Sequence, residues 1–220
     1  IYAGAEQDFK ITPDQIDKAV TPKTRAIMIN SPSNPTGSAY NKEELEKLAD
    51  CALRHKLLII SDEIYEQIVF DGFRHTSIAS ISKEVQKQCV VINGVSKSYA
   101  MTGWRIGYIA AGNPEITKQA GKLQGQSTSN PCSVSQAASI EALAGPLDEV
   151  YAMVSEFEKR RDIIVEHLRQ IPGVSCNTPK GSFYSFPDFS EIYGKKDTTG
   201  KVLEGSLDFI DYLLTTEKVA

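Results

Sequence analysis

The sequence predicts an α/β fold, a mainly parallel sheet sandwiched by helices, joined to part of a smaller α+β domain. Three observations support this. Apolar runs at 26–30, 57–60, 89–93 and 106–111 are separated by segments with helical periodicity. Runs that stay apolar at successive positions read as strands buried on both faces, the habit of parallel sheets. After Gly145-Pro146 the pattern changes to one long amphipathic stretch and then short alternating segments, which places a boundary between residues 1–146 and 147–220.

Taken in order, the first helix opens at Thr12, an N-cap, with Pro13 in its first turn. Strand 26–30 runs into Ser31-Pro32-Ser33-Asn34-Pro35-Thr36-Gly37, a loop by its proline and glycine content. Asn41 and Glu44 have capping-box spacing, and Leu45, Leu48, Ala49 and Ala52 line one face of the helix that follows. Strand 57–60 leads into Asp62, strand 89–93 leads into Lys97, and 106–111 is a fourth strand. A helix at 136–144 is stopped by Gly145-Pro146. Leu147, Val150, Val154, Phe157, Ile164 and Leu168 mark a long helix ended by Pro172-Gly173. Segments 174–176 and 182–186 alternate like strands, 207–214 reads as a helix, and a further strand is expected to begin at the end of 215–220. In sheets of this class ligands bind beyond the carboxyl ends of the strands. Asn34, Asp62 and Lys97 each follow a different strand, so they converge on one rim.

A chain of 220 residues can bury one good core, or one domain and part of a second. Its 41% hydrophobic and 24% charged residues describe an ordinary globular protein. A net charge of −4 without a basic patch gives no reason to expect nucleic acid as a partner. No apolar run approaches the ~20 residues of a membrane span, and nothing near Ile1 resembles a signal peptide. Cys51, Cys89, Cys132 and Cys176 form no Cys-x-x-Cys pair, and His55, His75 and His167 are scattered, so no metal site is expected. The cysteines read as reduced, mostly buried thiols of a cytoplasmic protein.

The segment Gly94-Val95-Ser96-Lys97-Ser98-Tyr99-Ala100-Met101-Thr102-Gly103-Trp104-Arg105-Ile106-Gly107 carries the most chemistry. A lysine among small residues just past a strand, with an arginine further along, suits an amine that holds an aldehyde cofactor as a Schiff base while the guanidinium grips its phosphate. The amine reacts only when unprotonated, which burial or a cationic neighbour favours. A guanidinium can hold two phosphate oxygens at once and stays charged. Each element has a plainer reading alone: a surface lysine, a surface ion pair for Arg105, a turn for Asn34-Pro35-Thr36-Gly37, a capping carboxylate for Asp62. Their convergence on one rim distinguishes them. Together with Asp62-Glu63-Ile64-Tyr65, these motifs resemble those of the class I/II aminotransferases, which are fold-type I pyridoxal-phosphate enzymes. The Ala100-Met101-Thr102-Gly103-Trp104-Arg105 version is most similar to the bacterial-type aspartate aminotransferase branch.

The resemblance implies a role for each residue. Lys97 would carry the pyridoxal 5'-phosphate Schiff base and, once freed, act as general base toward the substrate's α-proton. Asp62 would face the pyridine nitrogen and keep it protonated, which makes the ring an electron sink. Asn34 and Tyr65 would both reach the cofactor's phenolic oxygen, and Ser96 and Arg105 its phosphate. Many relatives carry a second serine three residues before the lysine, where this chain has Gly94. Gly181-Ser182-Phe183-Tyr184-Ser185-Phe186 is similar to the strand lining the substrate side, a packing element first and a substrate contact second. The implied activity is amino transfer between an amino acid, aspartate or glutamate first, and a 2-oxo acid, in a homodimer.

Both ends of the chain read as interior sequence, so a piece of a longer enzyme is expected, inactive alone and prone to aggregate at its open sheet edges. Full members carry, before this segment, a phosphate-binding turn, an aromatic stacked on the ring and a tyrosine lent to a partner subunit. After it comes an arginine for the substrate carboxylate. Two rivals share the same residues: another reaction on the same cofactor, such as β- or γ-elimination, and the cofactor-binding sensor domain of a transcription regulator.

Overall fold

The computed structural model describes residues 1–219; Ala220, with the strand expected to begin there, lies outside the described residues. Four strands form the main sheet in the order β1 (Ala26–Asn30), β2 (Leu58–Asp62), β3 (Cys89–Gly94), β4 (Gly107–Ala111). The first three are parallel and β4 runs antiparallel to β3. Between the parallel strands the chain crosses over through α2 (Lys42–Arg54) and the short α3 (Lys83–Lys87), while α1 (Pro13–Ala19) precedes β1.

Both expected helix starts are present. Gln15 N donates to Thr12 Oγ1 while Thr12 N donates to Gln15 Oε1. Asn41 and Glu44 make the same reciprocal pair at 2.9 and 2.8 Å. Each box satisfies backbone N–H groups that the first helical turn leaves unpaired. Leu45, Leu48, Ala49 and Ala52 are buried, as their spacing requires, and pack with Ile16, Ile27, Ile29, Ile59, Ile78 and Val85 into the main core.

The α/β class and mainly parallel order agree with the sequence. The uniform burial expected of the strands does not hold in this chain. Ile27, Ile29 and Ile59 face α1 and α2, but on the opposite face Met28 is 70% exposed, Ile92 39% and Ile109 38%. An apolar run states that both faces avoid water; it does not state that both are covered by the same stretch of chain. A helix the sequence did not reveal, α4 (Pro114–Ser127), follows β4 and buries none of its residues. The expected helix 136–144 begins earlier, as α5 (Ser133–Ala144).

The long helix is α6 (Asp148–Gln170). Met153, Val154 and Phe157 on it pack with Tyr184 against a second buried cluster, Tyr65, Ile68 and Phe70. Beyond it, β5 (Ser175–Cys176) pairs with β6 (Pro187–Asp188), and α7 (Ser206–Tyr212) matches the expected last helix. The strand expected at 182–186 does not form. Ser182 adopts a left-handed φ of 61°, which breaks an extended run. The segment instead clips onto 68–70: Phe70 N donates to Lys180 O and Ser182 N to Ile68 O, at 3.0 and 2.9 Å. No helix among the described residues is long and apolar enough to cross a membrane.

Candidate active site

The rim at the carboxyl ends of the parallel strands begins with Asn30, the last residue of β1. Its Oδ1 accepts from Asn34 N at 2.7 Å and its Nδ2 donates to Asp62 O at 3.2 Å. Ser31 N also donates to Asp62 O, at 3.1 Å. One side chain thus ties the Asn34 loop to the end of β2. At the far end of that loop Gly37 takes φ +70°, and a Cβ there would fall 2.5 Å from Pro179 Cβ. Its carbonyl accepts from Lys180 N and Gly181 N at 2.8 and 3.0 Å, which carries the 181–184 segment against the loop.

Tyr184 then lies between two of the expected site residues. Asn34 Nδ2 donates to its hydroxyl at 3.3 Å, and the Tyr65 and Tyr184 hydroxyls are 3.0 Å apart. Burial, followed by the hydrogen bond with Tyr184, pushes the Tyr65 phenol well above its ordinary value. Tyr65 therefore remains a protonated hydrogen-bond donor at any working pH. Asp62, half-buried at the end of β2, accepts from Ile64 N through Oδ1 at 3.2 Å. Its other oxygen has no donor among the described residues.

The third contribution comes from the loop joining β3 to β4. Lys97 Nζ sits 5.7 Å from the Tyr65 ring centroid and 5.3 Å from that of Phe183. Among the described residues no carboxylate pairs with this amine. Ser96 is half-buried beside Lys97 in the chain. Arg105 closes the loop in a left-handed conformation, exposed, its guanidinium held only by Thr102 O at 2.9 Å. Asn34, Tyr65, Lys97 and Tyr184 are thus gathered into one group. Asp62 stands on the same rim, whereas among the described residues no side-chain hydrogen bond or ion pair joins Ser96 or Arg105 to the group. Gly94 also acquires a reason: a Cβ there would lie 2.7 Å from Ile106 O and 3.1 Å from Gly107 Cα. The backbone of β4 occupies the space that a serine side chain needs.

Chemically the set comprises, among the described residues, an amine without a carboxylate partner, a phenol kept neutral, a carboxylate with a free oxygen and a guanidinium without an acidic partner. This donor set has the chemistry that an aldehyde-bearing aromatic phosphate needs: an amine for an aldehyde, neutral hydrogen-bond donors and a carboxylate for a polar ring, and a guanidinium for a phosphate. Sequence reasoning missed Asn30 and the place of Tyr184. An asparagine closing an apolar strand was a signal for the first. Nothing local signals the second, because Tyr184 arrives from a remote segment.

Comparison with known proteins identifies the family. A family model described as aminotransferase class I and II matches residues 2–220. The aspartate aminotransferase of Bacillus sp. (strain YM-2) is 51% identical over 100% of this chain and 55% of its own length. That of Geobacillus stearothermophilus is 53% identical over 86% of this chain and 48% of its own. Among solved structures, an aspartate aminotransferase from Rhizobium meliloti superposes with a TM-score of 0.95 at 41% identity, covering 100% of this chain and 55% of that one. The chain spans about half the length of the curated relatives it matches. The family model's match over residues 2–220, with the sequence and structural similarity to these relatives, shows that the chain belongs to the class I and II aminotransferases.

Proposed function

We propose that this chain forms the cofactor-holding part of a pyridoxal-phosphate-dependent aminotransferase that moves an amino group from aspartate or glutamate to a 2-oxo acid. The observation that carries the reading is the Lys97 amine, free of carboxylates and lodged against Tyr65 and Phe183 beside Asn34. When bound, the cofactor supplies an aldehyde that takes up the amine and a protonated ring that accepts electrons from the substrate's α-carbon. Lys97 would hold the aldehyde carbon of that group, and its amine would serve as the base for the substrate's α-proton. Asp62 holds a proton on the ring nitrogen through its unpartnered oxygen. Tyr65, neutral because it is buried, donates to the ring hydroxyl, and Asn34 donates to the same atom. Arg105 anchors the phosphate, with Ser96 as a second donor.

Residues 1–146 would make up most of the cofactor domain, and 147–220 a connecting helix and part of a smaller domain. The close relatives named as aspartate aminotransferases support the substrate class. Work as a cytoplasmic homodimer is part of the same proposal. The test is an absorbance spectrum of the whole protein with added pyridoxal phosphate, before and after excess glutamate or aspartate. A visible band that Lys97→Ala abolishes, and that either amino acid bleaches with release of its 2-oxo acid, is expected. Release of ammonia with the visible band retained would indicate elimination instead. No band in the wild type would overturn the cofactor assignment.

A further inference from the structure

Directly after Asp62 stands a second carboxylate, Glu63, to which the reaction assigns nothing. It is 2% exposed and sits on the opposite side of the chain from Asp62, toward the core. Four groups converge on it. Ser61 Oγ, Ser77 Oγ and Ile78 N donate to Oε1 at 2.9, 3.0 and 3.3 Å, and His75 Nε2 lies 3.2 Å from Oε2. The main chain is fixed at the same point: Glu63 N donates to Ile92 O, and Glu66 N closes a turn on Glu63 O, both at 2.9 Å. Burying a carboxylate is costly even when it is fully hydrogen-bonded, and an apolar side chain of similar volume would fill the space at lower cost. What a carboxylate adds is direction. Its bonds tie the end of β2 to the strap 75–78, whose Ile78 is packed into the core.

We infer that Glu63 is a positioning residue for the cofactor site: its buried carboxylate fixes the turn 62–65 from beneath and so sets the spacing between the Asp62 carboxylate and the Tyr65 phenol. Asp62 and Tyr65 flank Glu63 in the chain and face the site. A shift of the turn by a fraction of an ångström moves both groups against the same bound ring. This inference rests on the functional reading above.

The experiment titrates pyridoxal phosphate into the whole protein as wild type, Glu63→Ala and Glu63→Gln, following the visible band, its pH midpoint and the melting of the cofactor-free form. Glu63→Ala is expected to weaken cofactor binding about tenfold and to move the pH midpoint of the band. Glu63→Gln should restore affinity to within about threefold, because an amide oxygen can still accept from Ser61, Ser77 and Ile78. Should Glu63→Ala fail to fold, the paired change Ser61→Ala with Ser77→Ala removes two donors at small volume cost, and a loss of about threefold is expected. A lower melting temperature with unchanged affinity and pH midpoint would overturn the inference and leave Glu63 a structural residue. Absence of the band in the wild type is a different result, which sinks the functional reading first.

Discussion

The contact between α6 and the turn after β2 offers the most quantitative test of the structure. Arg161 on α6 has a side chain only 6% exposed, and its guanidinium grips Asp71 through two bonds of 2.8 and 2.9 Å. It also donates to Pro179 O at 3.0 Å and to Asp162 at 2.8 Å, and it lies over the Phe70 ring at 5.0 Å. Asp71→Asn keeps the shape and removes the charge. The Arg161 guanidinium, foremost among the causes, lowers the Asp71 carboxyl from an ordinary 3.8 to about 2. At face value such a shift corresponds to ~2.5 kcal/mol at neutral pH. The carboxylate is 40% exposed, however, so solvent screening reduces this to about 1 kcal/mol. Arg161 keeps Asp162 as a partner, which holds the total penalty to about 1–2 kcal/mol, short of the 3–5 expected for an orphaned buried charge. For a protein of this size that is a fall in Tm of roughly 2–8 °C. The sign follows from the depressed value: the stabilisation is complete above the unfolded carboxyl's value near 4 and is lost as pH falls toward 2. Urea unfolding of wild type and variant should therefore differ by a constant amount from pH 5 to 8 and converge below pH 4. Equal stability at pH 7, or a difference that persists undiminished at pH 3, would refute the ion-pair account.

Three further outcomes are expected in the whole protein. Tyr65→Phe, which deletes a buried donor shared with Tyr184, should weaken pyridoxal phosphate binding by about 1–2 kcal/mol, roughly 5- to 30-fold, with little change in far-ultraviolet circular dichroism; unchanged affinity would remove Tyr65 from the site. Asn30→Ala unties the Asn34 loop from β2, so affinity for the cofactor should drop several-fold while chemical denaturation shifts by no more than about 2 kcal/mol. Gly94→Ser forces a side chain to within 2.7 Å of Ile106 O, so it should cost about 1–3 kcal/mol of stability. A serine variant as stable as the wild type would show that the β3–β4 pair can separate to admit it.

The rim that gathers the candidate residues was legible because they sit where strands end. Asp62 and Lys97 follow apolar runs directly, and the Asn34 loop is spelled out in proline and glycine, so both position and polarity were visible locally. The caps at Thr12 and Asn41 were legible for the same reason: the reciprocal bonds span three residues. What remained hidden depends on distant chain. Tyr184 reaches Asn34 only because Gly37 O holds the 180–181 backbone, and the left-handed Ser182 turned an apparent strand into a clip. Glu63 carried no signal of its own in the sequence, since its four partners are assembled by folding. The amphipathic signal of α4 was too weak to register, and the structure agrees that this helix buries nothing within the chain.

The antiparallel direction of β4 bears on the order in which the site assembles. Gly94 meets Gly107 across a short loop, so β3 and β4 can zip as a local hairpin whose tip already carries Ser96, Lys97 and Arg105. Asn30 meets Asp62, and Asp62 meets Ile92, only after a crossover has been laid down, and such non-local parallel pairings form slowly. Lys97 and Arg105, the proposed amine and phosphate anchor, are thus early features of the folding chain, while the groups proposed to read the ring come late. A cofactor that needs both halves would act as a clamp on the finished sheet. It should slow unfolding and leave the refolding rate nearly untouched.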